Sequence, residues 1–139
     1  MKIEKNIESI KSDKFLKELS FCRNDTNSYL RKLLPLENNE ILYNAINYAI
    51  FSGGKRFRAF LVIQAAKLYE IPKIRALQAA SAIETTHTYS LVHDDLPSMD
   101  NDDIRRGKPT VHKKWDEATA VLVGDALQAL SLIHIWSCR

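Results

Sequence analysis

The spacing of apolar residues constrains this chain most. They recur every three or four positions almost from end to end, the period of a helix with one buried face. Only four glycines and four prolines interrupt that pattern, too few for a turn-rich β-architecture. Ile3, Ile7 and Ile10, then Phe15, Leu16 and Leu19, predict one or two amphipathic helices at the start. A helix over 38–51 would turn Ile41, Leu42, Ala45, Ile46, Ala49 and Ile50 inward. Ser52-Gly53-Gly54 would end it, because glycine enters the left-handed region cheaply. A third helix over 56–69 carries Phe60, Leu61, Ile63, Ala65 and Leu68, and Ile71-Pro72 stops it. A fourth spans 73–95 through Leu77, Ala80, Ile83 and His87, before Pro97 breaks it. Residues 98–110 form a polar loop, and a fifth helix runs from 115 or 116 to 132. No run alternates as a strand does. The expected fold is all-α, a helix bundle with short connections.

With 139 residues the chain can bury one core. Its 45% hydrophobic and 27% charged residues are the balance of a soluble protein. A formal net charge of +3 names no nucleic-acid partner. Cys22 and Cys138 lie far apart, form no CxxC pair, and read as unpaired thiols of a reducing compartment. The amino-terminal stretch mixes charges with apolar residues and is no secretory signal. The most apolar stretch, 118–133, is broken by Asp125 and Gln128, and reads as a buried helix rather than a membrane span. The location expected is cytoplasmic.

Four patterns carry chemistry. The first is His93-Asp94-Asp95-Leu96-Pro97-Ser98-Met99-Asp100. Carboxylates at a helix C-terminus face the negative end of its dipole and repel one another. A hard cation such as Mg²⁺ offsets both effects, taking one or two carboxylates plus substrate phosphates. In an unbroken helix Asp94 and Asp100 would stand about 9 Å apart along the axis and about 120° apart around it. A distorted turn at Pro97 is therefore needed to bring them together. Taken alone, the pattern is equally that of a solvated acidic loop. The second is Gly53-Gly54-Lys55-Arg56-Phe57-Arg58, where free amides and the positive dipole end suit an anion, and where Lys55 and Arg58 share a face. It is no Walker loop, and by itself it reads as a basic helix start on the surface. The third is Asp103-Ile104-Arg105-Arg106-Gly107-Lys108, whose arginines can hold a diphosphate in bidentate fashion or simply neutralise surface carboxylates. The fourth is His87, two helical turns before Asp94 and on the same face. His93, His112 and His134 read as structural, and Asp125 is expected to bond to a neighbour.

These patterns stand in one order. GGKRFR, followed by IETTHTYSLVHDDLPSMDNDDIRRGKPTVHKKWDEATAVLVGDALQAL, resembles bacterial-type farnesyl and geranylgeranyl diphosphate synthases of the trans-polyprenyl synthetase family. The resemblance is strong from Leu36 to Leu130. It implies the all-α isoprenoid synthase bundle and a condensation of isopentenyl diphosphate with dimethylallyl or geranyl diphosphate. It implies that Asp94 and Asp100 bind Mg²⁺ holding the allylic diphosphate, with Asp95 assisting, and that Arg105 contacts that diphosphate. Lys55, Arg58, His87 and Arg106 would hold the diphosphate of isopentenyl diphosphate. Tyr89 and Ser90, about one turn before Asp94, would floor the product pocket and limit it to farnesyl diphosphate. Homodimerisation is likewise implied.

Members of that family are much longer and carry a second aspartate-rich motif, absent here. The expectation is an N-terminal part of a polyprenyl synthetase domain over 1–132, that is, a truncated bundle. Residues 133–139 would then be a tail outside the family pattern, from a frameshift or cloning junction. Leu91 and much of 118–132 would be exposed unless another chain covers them, and the chain alone would be a poor catalyst or none and only marginally folded. The alternatives are a non-catalytic homologue acting as a diphosphate-binding or regulatory subunit, a geranylgeranyl diphosphate synthase, or a class I terpene synthase. Lys55, Arg58 and His87 argue against the last, which needs one diphosphate substrate only.

Overall fold

A computed structural model describes residues 2–34 and 40–136, with side chains placed from residue 12 onward. The side chains of Ile3, Ile7 and Ile10, the expected helix start at Asn38, and Cys138 lie outside that description. The elements are α1 (Lys2–Leu33), α2 (Ile41–Phe51), α3 (Phe57–Leu68), α4 (Lys73–Asp94), β1 (Ile104–Arg105), β2 (Lys108–Pro109), α5 (Val111–Lys114) and α6 (Glu117–Trp136). The all-α bundle is as expected, with one continuous helix at the start.

Two apolar clusters share α4 between them. Leu30 and Leu34 of the first meet Ala45, Ile46 and Ile50 of α2, Val92 and Leu96, and Ala120, Val123 and Leu127 of α6. The second joins Cys22 of α1, Ala59, Phe60 and Ile63 of α3, and Ala76 and Ala80. Among the described elements, contact between α4 and α6 is the most extensive. A helix buried on two sides needs small residues all round, and α4 buries Ala76, Ala80, Ser81, Ala82, Thr85 and Thr88. The Thr85 and Thr88 hydroxyls donate to the carbonyls of Ser81 and Glu84 at 2.7 and 2.8 Å, so their burial leaves no orphan donor.

Several expected core positions are not in the core. Ile41, Leu42, Leu61, Ala65, Leu68 and Ile83 are exposed. On α2 and α3 the buried stripes are narrower than the apolar ones. Leu91 is half-buried rather than exposed. The third helix ends before Ile71-Pro72. Glu70 takes a positive φ of 53°, the Ile71 amide donates to Ala66 at 3.0 Å and the Glu70 amide to Lys67 at 3.3 Å, which is the Schellman closure. The last helix runs to Trp136, past the expected stop at Leu132, with Ser131 and His134 buried. Though long and apolar enough to cross a membrane, α6 buries residues 120, 123, 124, 127, 131 and 134, the spacing of a helix packed in a bundle.

Candidate active site

The turn after α4 is not a continuation of the helix. The Asp100 amide donates to the Asp94 carbonyl at 2.8 Å, and Asn101 and Met99 donate to Leu96 at 3.1 and 2.9 Å. Asn101 supports the reversal at φ 53°. The chain thus folds back within six residues, where a straight helix would carry Asp100 away. Neither the Asp94 nor the Asp100 carboxylate pairs with a described side chain. Among the described residues no three His, Cys, Asp or Glu side chains are placed to share one ion. Two free carboxylates fit a hard cation that completes its shell with water and substrate phosphate.

Asp95 has a different place. It is 4% exposed, and both its oxygens accept from the Arg105 Nε, at 2.7 and 2.9 Å. Arg105 Nη2 closes the fork at 2.6 Å and also meets Asp102 at 3.3 Å. These bonds, and the carboxylates of Asp95, Asp102 and Asp94, hold the Arg105 pKa above its ordinary value. The Asp95 carboxylate is thus committed to the Arg105 guanidinium.

The second arginine points elsewhere because the residues between β1 and β2 form a tight reversal. Arg106 and Gly107 both have positive φ, 54° and 74°, the combination of a type I′ hairpin turn. Ile104 pairs with Pro109 and Arg105 with Lys108. The sequence showed only a loop here, because two-residue strands cannot display alternation and Arg-Gly is not a usual I′ pair. Tyr48 of α2 anchors the hairpin, its hydroxyl donating to the Pro109 carbonyl at 2.7 Å. The Arg106 guanidinium donates to the Gly53 carbonyl. It lies so close over Gly54 that a Cβ there would stand 2.7 Å from Nη1. Gly53 and Gly54 take φ values of 114° and 120°, as the sequence required.

His87 on α4 sits within the fields of Arg58, Arg106 and Arg105. Burial first, then Arg58, lowers its pKa, and Glu84 partly opposes that. Desolvation of the guanidinium, then the charge of Arg56, lowers the Arg106 pKa, although the residue as a whole is exposed. Arg58 and Arg106 thus bring positive charge to the neighbourhood of His87 and favour its neutral imidazole; Lys55 is exposed on the same glycine turn. Tyr89 and Ser90 line a cavity of about 420 Å³ that also touches Asp94, Met99 and Val121. The Tyr89 ring packs edge-on against His93 at 4.9 Å.

Sequence reasoning missed Arg56 and Glu84. Arg56 is buried and meets the Glu84 carboxylate at 3.3 Å. The available signal was a glutamate four residues from Ala80 and Thr88, on a face otherwise small and apolar. His93 and His112 are structural: His93 Nε2 donates to the Val121 carbonyl at 3.1 Å, and His112 Nδ1 meets the Thr110 hydroxyl at 3.1 Å. Asp125 is exposed, not bonded as expected.

An aspartate-rich turn and a set of basic side chains lie on adjacent helices of an all-α bundle. The chain belongs to the polyprenyl synthetase family, whose model matches residues 39–138. That match runs beyond Leu132. It is 51% identical over 94 residues to a farnesyl diphosphate synthase of Haemophilus influenzae, covering 68% of this chain and 32% of that one. It is 47% identical to the large subunit 1 of a heterodimeric geranylgeranyl pyrophosphate synthase of Arabidopsis thaliana, over 80% of this chain and 30% of that one. Among solved structures, an FPP/GFPP synthase from Zymomonas mobilis superposes with a TM-score of 0.82 at 46% identity, covering 86% of this chain and 44% of that one. A geranyltranstransferase from Thermotoga maritima gives 0.83 at 34% identity. The chain therefore spans about a third of the length of these curated relatives.

Proposed function

We propose that this chain supplies one wall of a trans-prenyltransferase site that joins isopentenyl diphosphate to dimethylallyl or geranyl diphosphate, giving farnesyl diphosphate. The observation that carries this reading is the pairing of two sites of different kind: the folded-back turn with Asp94 and Asp100, suited to a cation that bridges to a diphosphate, and the arginines Arg58 and Arg106 around His87 beside the glycine turn. One transferase needs both, since it must hold two diphosphates at once.

Mg²⁺ at Asp94 and Asp100 would neutralise charge on the departing allylic diphosphate. Arg105, held by Asp95 and Asp102, adds fixed positive charge beside that leaving group. Lys55, Arg58, His87 and Arg106 keep the isopentenyl diphosphate in line for attack by its double bond. The Tyr89 ring at the cavity wall favours a short product. Association of two copies and a cytoplasmic location belong to the same reading.

Near-equal identity to farnesyl and geranylgeranyl enzymes makes the longer product the second reading. The test is isopentenyl incorporation with Mg²⁺ and geranyl diphosphate by the protein in its full natural length. A C15 product, with longer products from Tyr89→Ala, is the expected result. C20 from the unmodified protein supports the geranylgeranyl reading. Binding of both diphosphates without product supports a diphosphate-binding or regulatory subunit.

A further inference from the structure

We infer that the buried Arg56–Glu84 pair is a positioning device for the isopentenyl-side cationic group, acting through the backbone of the glycine turn. The inference rests on the proposed reading of that group.

Arg56 occupies the N-cap of α3 with φ 54° and ψ 40°, a left-handed conformation that costs an L side chain energy. Its side chain is 3% exposed and that of Glu84 4%. A buried ion pair is weak evidence for stability, since desolvation offsets its attraction. Strain and buried charge at one position therefore call for another reason, and the bonds supply it. Arg56 Nε donates to Asn27 Oδ1 of α1 at 3.0 Å. Nη1 meets Glu84 Oε2 of α4 at 3.3 Å, and Nη2 donates to the Ile50 carbonyl in the last turn of α2. The other Glu84 oxygen, Oε1, accepts the Ala59 amide of α3 at 3.0 Å.

One arginine and one carboxylate thus tie four helices together at the point where α2 passes into α3. The residues on either side of this anchor are the exposed cations, Lys55 before it and Arg58 after it. Gly53 and Gly54 give the turn no rigidity of their own, because glycine restricts the backbone least. Glu84 also stands one turn before His87 on α4, so the same carboxylate fixes the start of α3 relative to the histidine. The pair sets the distances among Lys55, Arg58 and His87, and touches neither the Asp94–Asp100 turn nor the Arg105 fork in any bond described.

The test uses the full-length protein and calorimetric binding of two probes: isopentenyl diphosphate without divalent cation, and geranyl diphosphate with Mg²⁺. Arg56→Gln/Glu84→Gln removes both charges together and keeps an acceptor for Ala59. It is expected to weaken isopentenyl diphosphate binding about tenfold, in the range of a displaced binding group, and to leave geranyl diphosphate within about twofold. A purely structural role would weaken both alike, and that outcome, or no change in either, overturns the inference. Should the double variant not fold, Arg56→Lys keeps the charge but cannot make the fork to Asn27 and Ile50. It is expected to show a smaller, isopentenyl-selective loss, and binding equal to the unmodified protein overturns the inference. Lys55→Ala/Arg58→Ala separates the two levels. If that variant binds isopentenyl diphosphate undiminished, the reading of the cationic group fails and the role of the pair falls with it. If it loses binding while the Gln/Gln variant does not, only the positioning role fails.

Discussion

His87 shows how one residue takes its chemistry from its neighbours. Burial and the charge of Arg58 disfavour its imidazolium, with Arg106 and Arg105 adding to the effect and only Glu84 opposing it. Its folded pKa therefore lies below the ordinary value, and the unfolded chain binds the proton more readily. Stability from His87 is present above an unfolded pKa of about 6.5. It is lost as pH falls from there through the folded value. A bound diphosphate reverses the balance, because an adjacent anion favours the imidazolium. Isopentenyl diphosphate binding should then be accompanied by proton uptake near pH 6.5 and should tighten as pH falls from 7.5 to 6 (about one unit either side of the ordinary histidine pKa). Calorimetry in buffers of different ionisation enthalpy measures this directly. His87→Gln should abolish the proton uptake, and undiminished uptake in that variant would place the titrating group elsewhere.

At the scale of elements, the approach of α4 to α6 depends on Gly124. Its missing Cβ leaves the room that the His93 ring fills; a Cβ would stand 1.9 Å from Nε2. Gly124→Ala should destabilise the fold by about 1–3 kcal/mol, read by urea denaturation, even though alanine is the better helix former. His93→Ala should recover part of that loss in the double variant, since the clash disappears with the ring. Additive losses would mean that the two side chains do not meet. Helix existence was legible in the apolar period, because each helix buries one stripe against the core. The exceptions have physical reasons. Ile41, Leu61 and Leu68 continue the period but lie beyond the width of the contact their helices make. Glu70 closes α3 in a conformation that glycine usually supplies, so Ile71-Pro72 marked the end of the helix but not the form of its closure. The candidate site could be picked out from residue type at Asp94, Asp100, Arg58 and His87. It was not legible where a side chain works by reaching across the bundle, as Arg56 reaches Glu84 over 28 positions. The Asp95–Arg105 fork spans a reversal that only the folded turn creates.

At the scale of the whole molecule, the outer side of α6 decides how these 139 residues behave in isolation. Leu122 and Leu132 are each 54% exposed, on a helix whose opposite side fills the core with Val123 and Leu127. Phe21 on α1 and Leu68 and Tyr69 at the end of α3 add further exposed apolar area. Soluble monomers rarely show large contiguous apolar patches, and such patches lead to association. The two interior clusters are modest, and each fully buried leucine contributes only roughly 1.5–3 kcal/mol. The 139-residue polypeptide on its own should therefore associate. Sedimentation velocity should show a weight-average mass that rises with concentration, and thermal unfolding should be broad. Leu122→Glu/Leu132→Glu leaves the core untouched and should return the mass towards that of the monomer, because charge on the patch opposes its burial. A sharp unfolding transition and a monomer at every concentration in the unmodified polypeptide would show that the two clusters suffice, and that the outer side of α6 tolerates water.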